Sequence, residues 1–265
     1  MCCFCHRAIL IFLTAPLVIQ LADAIELEQR NGAAHAYPAM LYLNGQKLAE
    51  GEFTQEVRGG VLRIRIKYDL DAGGSIEETG TFRQDTELTQ QKWSWRELKG
   101  EKLEREYKVD FDAGTATARK REKGDLREWS ESVEIEKGRT FAGFGFVLAL
   151  QNLRDQLVTK APVELKAVGF TPKPRVVAVK LSYHGIDRLP MSGRVLRGEH
   201  FLIQPEIPAI AKLFVKIADT HIWLTPPPSG FLRWEGPLAE PSDNLIRVDL
   251  ASGGESGPAK AVEKD

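Results

Sequence analysis

Cysteine is absent after position 5; the three in the chain are Cys2, Cys3 and Cys5. All fall within MCCFCHRAILIFLTAPLVIQLADA, an N-terminal stretch laid out like a secretory leader. His6 and Arg7 precede an apolar run from about Ala8 to Ile19, and Ala22-Asp23-Ala24 supplies the small-x-small pattern that a signal peptidase reads. Cleavage after Ala24 is expected to leave 265 − 24 = 241 residues, starting at Ile25. Such a chain excludes disulfides, thiolate catalysis and thiolate metal sites, and it lacks the cysteine that would anchor a lipoprotein. The expected location is periplasmic or secreted, with a fold held by burial alone.

Long apolar runs are scarce as well. The leader run is shorter than the roughly 20 residues that cross a hydrocarbon core. No later segment is long or apolar enough, so no transmembrane segment is expected after cleavage. Neither charge dominates: 36 basic residues stand against 37 acidic ones, a formal net of −1. The densest basic stretch, ARKREKGDLRE, is offset by Glu122, Asp125 and Glu128, the pattern of a solvated face. No nucleic-acid partner is expected, because such binders concentrate basic charge.

Motifs that carry chemistry are equally thin. GFGF at 143–146 lacks the third glycine and the Lys-Ser/Thr that phosphate binding requires, and no G-x-S-x-G elbow occurs. His35, His184, His200 and His221 form neither an H-x-x-x-H nor an H-x-H pair, so no local metal-ligand spacing exists. Glu77 and Glu78 fall on opposite faces of a strand, the wrong arrangement for paired carboxylate catalysis. No catalytic residue, metal ligand or cofactor is assigned. A hydrolase or lyase acting on envelope polysaccharide is the weakest alternative; it would need His184 or His200 beside a carboxylate in a cleft.

What the chain does have is alternation. In VLRIRIKYDL, Leu62, Ile64, Ile66, Tyr68 and Leu70 make an apolar row, and Arg63, Arg65, Lys67 and Asp69 a charged one. Successive strand side chains point to opposite faces, so this ribbon has a dry face and a wet face. LEREYKVDF repeats the pattern, with Arg105 on the face of Leu103, Tyr107, Val109 and Phe111. VVAVKLSYH and the Ile246, Val248, Leu250 row follow suit. Asn44-Gly45, Gly59-Gly60, Gly73-Gly74, Asp112-Ala113-Gly114 and Lys123-Gly124-Asp125 mark turns between such runs. The spacing predicts an antiparallel meander.

FAGFGFVLALQNLRDQL breaks the rhythm: Phe146, Leu150, Leu153 and Leu157 recur at helical spacing, which predicts a helix over 144–157. A second, short helix is expected around IPAIAKLFVKI, where Pro208 suits a first turn. The tail ASGGESGPAKAVEKD holds no large apolar residue and is expected to be disordered. The organisation expected is a leader over 1–24, one β-rich domain over 25–250 and a tail over 251–265.

Trp93 and Trp95 lie two apart and project from one side of their strand; Trp223 and Trp234 occupy later strand-like pieces. Such rings serve either as core or as the wall of an apolar pocket.

The second half, from FGFVLALQNLRDQL through VELKAVGF, RVVAVKLSYHG and SGRVLRGEHFLI to HIWLTPPPSGFLRWEGPL, resembles an uncharacterised family of exported Gram-negative proteins, a domain of unknown function. Where that family often opens its helix with aspartate and serine, this chain has Ala142 and Gly143. The resemblance implies a strongly bent antiparallel sheet forming an open barrel, and carries no catalytic residues. Its general shape is similar to periplasmic lipoprotein carriers, an analogy of fold that transfers no function.

The expectation is therefore a mostly-β protein in which a single bent sheet, an open or half barrel, wraps one central helix. The expected role is non-enzymatic: binding or carrying an apolar, lipid-like or acyl-like ligand in the cell envelope, with Trp93, Trp95, Phe144, Phe146 and Leu150 as the wall. The alternative is a structural or protein-interaction module with a filled core and an envelope protein as its partner.

Overall fold

The computed structural model describes residues 24–28, 30–159, 161–191, 193–206 and 218–251. The expected short helix over IPAIAKLFVKI lies outside them, as do residues 1–23 and 252–265, which hold nearly all of the expected leader and tail.

The first arm comprises β1 (Ala34–Tyr42), β2 (Lys47–Arg58), β3 (Val61–Leu70), β4 (Ser75–Gln84), β5 (Leu88–Lys99), β6 (Lys102–Asp110), β7 (Thr115–Glu122) and β8 (Asp125–Ser132). Each pairs antiparallel with the next. The turns are short enough to need glycine: at Gly74, with φ +106°, a Cβ would lie 2.1 Å from the Leu98 carbonyl oxygen. The second arm comprises β9 (Thr140–Phe141), α1 (Gly145–Thr159), β10 (Val163–Phe170), β11 (Pro174–Met191), β12 (Arg194–Pro205), β13 (Thr220–Leu224), β14 (Phe231–Pro237) and β15 (Leu245–Ala251). From β10 to β15 the strands again pair antiparallel in order, and β15 pairs with β1. The described strands thus form one mostly-β sheet that starts at β8, passes through β1 and β15 in its middle and stops at β9, without closing.

One pair departs from the expected antiparallel pattern: β9 runs parallel to β10 over Thr140 and Phe141. The reason is the connection. A parallel pair needs a crossover, and α1 is the crossover between these two strands.

The dry row of β3 faces inward as expected. Leu62, Ile64, Ile66 and Tyr68 are buried, while Arg63 and Arg65 are exposed. The sheet rolls its inner faces together: Phe170 of β10 stacks on Tyr107 of β6 at 4.6 Å and on Trp93 of β5 at 5.8 Å. Arg105, the polar member of its inner row, donates from Nε to Glu97 and from Nη1 to Asp243 beyond β14, both at 2.7 Å. Nearby Glu240 accepts from the Tyr107 hydroxyl and from Lys120 Nζ. These contacts clasp β6 and β7 to the β14–β15 connection, far away along the ladder.

Among the described residues α1 is the one helix, starting one residue later and ending two later than expected. Gly145 through Leu150 are all buried, followed by Asn152, Leu153 and Leu157. Its Arg154 pairs with buried Glu199 of β12, donating from Nε at 2.7 Å. Gln151 donates to the Ser229 carbonyl at 2.8 Å.

In β11 the register slips by one residue between Tyr183 and Ile186, a bulge at His184-Gly185. An extra residue reverses which face every following side chain takes. Leu189 and Met191 therefore turn outward with Trp223 and Leu232, and these four form a second apolar cluster against Leu196, separate from the main core.

Candidate functional site

The inner face of β4 reads Ile76, Glu78, Gly80, Phe82, which places one carboxylate in an apolar row. Glu78 Oε1 accepts from Trp93 Nε1 at 2.8 Å and from the backbone N–H of Phe144 at 2.7 Å. On the neighbouring strand β5, Gln90, which stands opposite Phe82, accepts from the Ala142 N–H at 2.8 Å and donates to the Ala142 carbonyl at 3.1 Å. The helix carries no capping side chain at Ala142 or Gly143, so the sheet supplies the cap instead. The approach demands glycine: Gly143 has φ +51°, and a Cβ there would lie 2.0 Å from Glu78 Oε1 and 2.3 Å from Trp93 Nε1.

Burial raises the Glu78 carboxyl above its ordinary range, and the donors Trp93 and Phe144 oppose that rise without cancelling it. Glu78 stays half-buried rather than sealed. Tyr68, on the neighbouring strand, is only 6% exposed, and burial followed by the Glu78 charge pushes its phenol up. Among the described residues no hydrogen bond reaches the Tyr68 hydroxyl. Its ring lies over Gly51, where a Cβ would come within 2.6 Å of it. Beside this polar end runs a line of rings, Phe53 to Phe144 at 5.3 Å and Phe144 to Phe231 at 5.6 Å, joining β2 to β14. Phe144 and Phe231 are half-buried.

The five expected wall residues divide. Trp93 and Phe144 meet at Glu78. Trp95 stacks on Tyr107 at 5.6 Å with the Arg105 guanidinium 5.2 Å from its ring centre. Phe146 sits edge-on to Phe141 at 6.0 Å, and Leu150 is fully buried on the helix. Glu78, Tyr68 and Gly143 were not singled out as site residues from sequence. The available signal was an acid two residues from Ile76 and Gly80, at an inward position of an alternating strand.

A histidine row lies on the outer face. Because the β11 bulge turns Asp187 outward, its Oδ2 accepts from Trp223 Nε1 at 2.9 Å and lies 3.2 Å from His200 Nδ1. His200 Nε2 lies 2.9 Å from His221 Nδ1, and its ring stacks on Trp223 at 4.5 Å. His200 thus meets the carboxylate that a hydrolase would need, yet both ring nitrogens face fixed partners and neither is presented to a reacting group. Among the described residues no group of three or more His, Cys, Asp or Glu side chains could hold a metal ion, and no helix is long and apolar enough to cross a membrane. A surface cleft of about 470 Å³ lies at the β1–β2 and β14–β15 strand tips, lined by Tyr42, Leu43, Asn44, Gln46, Asn244 and Leu245.

No family model matches the chain, and no curated protein matches it. Among solved structures, it is similar to a beta-barrel-like protein of Domain of Unknown Function DUF1849 from Brucella abortus. The likeness has a TM-score of 0.49 at 10% sequence identity and covers 84% of this chain and 97% of that one.

Proposed function

We propose that the protein binds an apolar guest, lipid-like or acyl-like, without transforming it, and that it does so in the cell envelope after export. The observation that carries this reading is the line of rings Phe53, Phe144 and Phe231, of which Phe144 and Phe231 pack against the main core yet stay only half-buried. Covering such surface with a hydrocarbon chain stabilises a complex by roughly 25 cal/mol per Å². The leader-like first 24 residues support the assignment to the envelope.

The test uses the full chain purified from its own cell envelope. Native mass spectrometry for co-purified lipid is combined with titration of N-phenyl-1-naphthylamine, an uncharged apolar dye read through its own emission. Saturable uptake that Phe144→Ala weakens is the expected result. Lipid-free protein together with unchanged dye emission overturns the reading.

A second reading, a protein-interaction module, is favoured by the burial of Trp95, Phe146 and Leu150 and by the cleft beside exposed Leu43 and Leu245. It predicts no saturable dye uptake by a protein that nonetheless melts cooperatively.

A further inference from the structure

Inside the protein, other buried or half-buried acids are matched with cations. Glu199 holds Arg154, and Glu240 holds Lys120 at 2.8 Å. Asp243 holds Arg105 at 2.7 Å. Glu78 differs: its two partners, the Trp93 indole and the Phe144 amide, are neutral donors, and no lysine, arginine or histidine among the described residues pairs with it. A carboxylate withdrawn from water without a counter-charge is costly. The start of α1 offsets part of this cost through its aligned amides, which explains Oε1 but leaves the second oxygen and the Tyr68 hydroxyl without protein partners. Glu78 sits at the middle ring of the line Phe53, Phe144 and Phe231, through the Phe144 amide, and Tyr68 covers Gly51, two residues from Phe53.

Resting on the apolar-guest reading above, we propose that Glu78 and the Tyr68 hydroxyl receive a cationic headgroup, so that the guest is a cationic amphiphile such as a long-chain amine. The ammonium donates to the free Glu78 oxygen and to the Tyr68 oxygen, while the alkyl chain covers Phe144 and Phe231. The complementarity is of charge as well as shape: the acid lacks a cation, and the adjoining rings lack cover.

The experiment compares dodecylammonium with dodecanol, both below their micellar concentrations, as displacers of the naphthylamine dye. A charge-assisted contact in a half-buried site predicts that dodecylammonium displaces the dye about ten- to a hundredfold more tightly than dodecanol. Glu78→Gln keeps an oxygen to cap Phe144, so its melting temperature is expected to stay near that of the wild type while the ammonium preference disappears and dodecanol binding remains. Tyr68→Phe is expected to reduce the preference several-fold, about the effect of one neutral hydrogen bond. Equal binding of the two probes by the wild type, or a folded Glu78→Gln that keeps the preference, overturns the headgroup assignment and leaves the apolar-guest reading standing. Failure of both probes to bind removes that reading and this inference together. If Glu78→Gln does not fold, the wild-type comparison and Tyr68→Phe decide the matter.

Discussion

The outer faces of the two arms are unlike. On the first arm, Glu77 of β4 is gripped by Arg65 of β3 and Arg96 of β5, each at 2.5 Å, and Arg119 reaches Glu106 across β6 and β7 at 3.0 Å. This face is wet and its pairs contribute little individually. On the second arm, the outer face carries Leu189, Met191, Trp223 and Leu232, with His200 and His221 alongside. A sheet covered on both sides loses its alternation. Phe201, Leu202 and Ile203 are all buried, and so are Ile222, Trp223 and Leu224. The first arm therefore has one face to protect and the second has two.

The sharpest way to break this comparison is Ile64→Asp, which puts an unpaired charge on the dry face of β3. It is expected to cost several kcal/mol and abolish the thermal transition, whereas Arg63→Ala on the wet face should change stability by under about 0.5 kcal/mol. A cooperative, wild-type-like melt of Ile64→Asp would reverse the assignment of faces. Next comes the junction of arm and helix: Gly143→Ala forces a Cβ into the Glu78–Trp93 hydrogen bond at a positive φ. A loss of about 3 kcal/mol is expected in denaturant titrations, with quenching of Trp93 emission altered.

On the second arm, Leu189→Ala is expected to cost about 2 kcal/mol. The loss should fall locally. Hydrogen exchange should quicken in the β11–β12 hairpin beyond the bulge and stay unchanged in β3 and β4.

The smallest effect is the pH response of a histidine on the same arm. Burial pushes the His200 imidazole below its ordinary 6.5, with His221 and His184 adding to the shift and Asp187 opposing it. The neutral ring is the folded form, so its contribution is present above pH 6.5 and is lost as pH falls through the lowered value. Imidazole titration by NMR and the pH dependence of the denaturation midpoint check this. His200→Gln should flatten the acid limb. Glu77 makes the contrast: burial pushes it up, but Arg65 and Arg96 outweigh that and hold it below the ordinary carboxylate range, so its ion pairs persist further into acid than those of an ordinary carboxylate.

The same difference explains what could be read from the sequence. VLRIRIKYDL and its neighbours alternate strictly between glycine turns, so their strands, faces and order were legible. The helix was legible from Phe146, Leu150, Leu153 and Leu157, which all face inward. Beyond His184, alternation alone would have kept Asp187, Leu189 and Met191 inside; the bulge that turns them out has no signature beyond Gly185. At the site, the large rings Trp93 and Phe144 were visible. Glu78 was not, because the amide that it caps lies 66 residues further along the chain and only the rolled sheet brings them together.

The strand order has a further consequence. Every hydrogen-bonded neighbour in the sheet is also a neighbour in sequence, except at the seam where β1 meets β15, segments about 200 residues apart. Tyr37 stands opposite Ala251 there, so a brief linker between these ends, with a new opening cut in the β8–β9 connection, would turn the chain into a meander read straight from one edge to the other. In the natural order, each arm can zip up hairpin by hairpin, and the slow, entropically expensive event is the meeting of two finished ribbons along a single line.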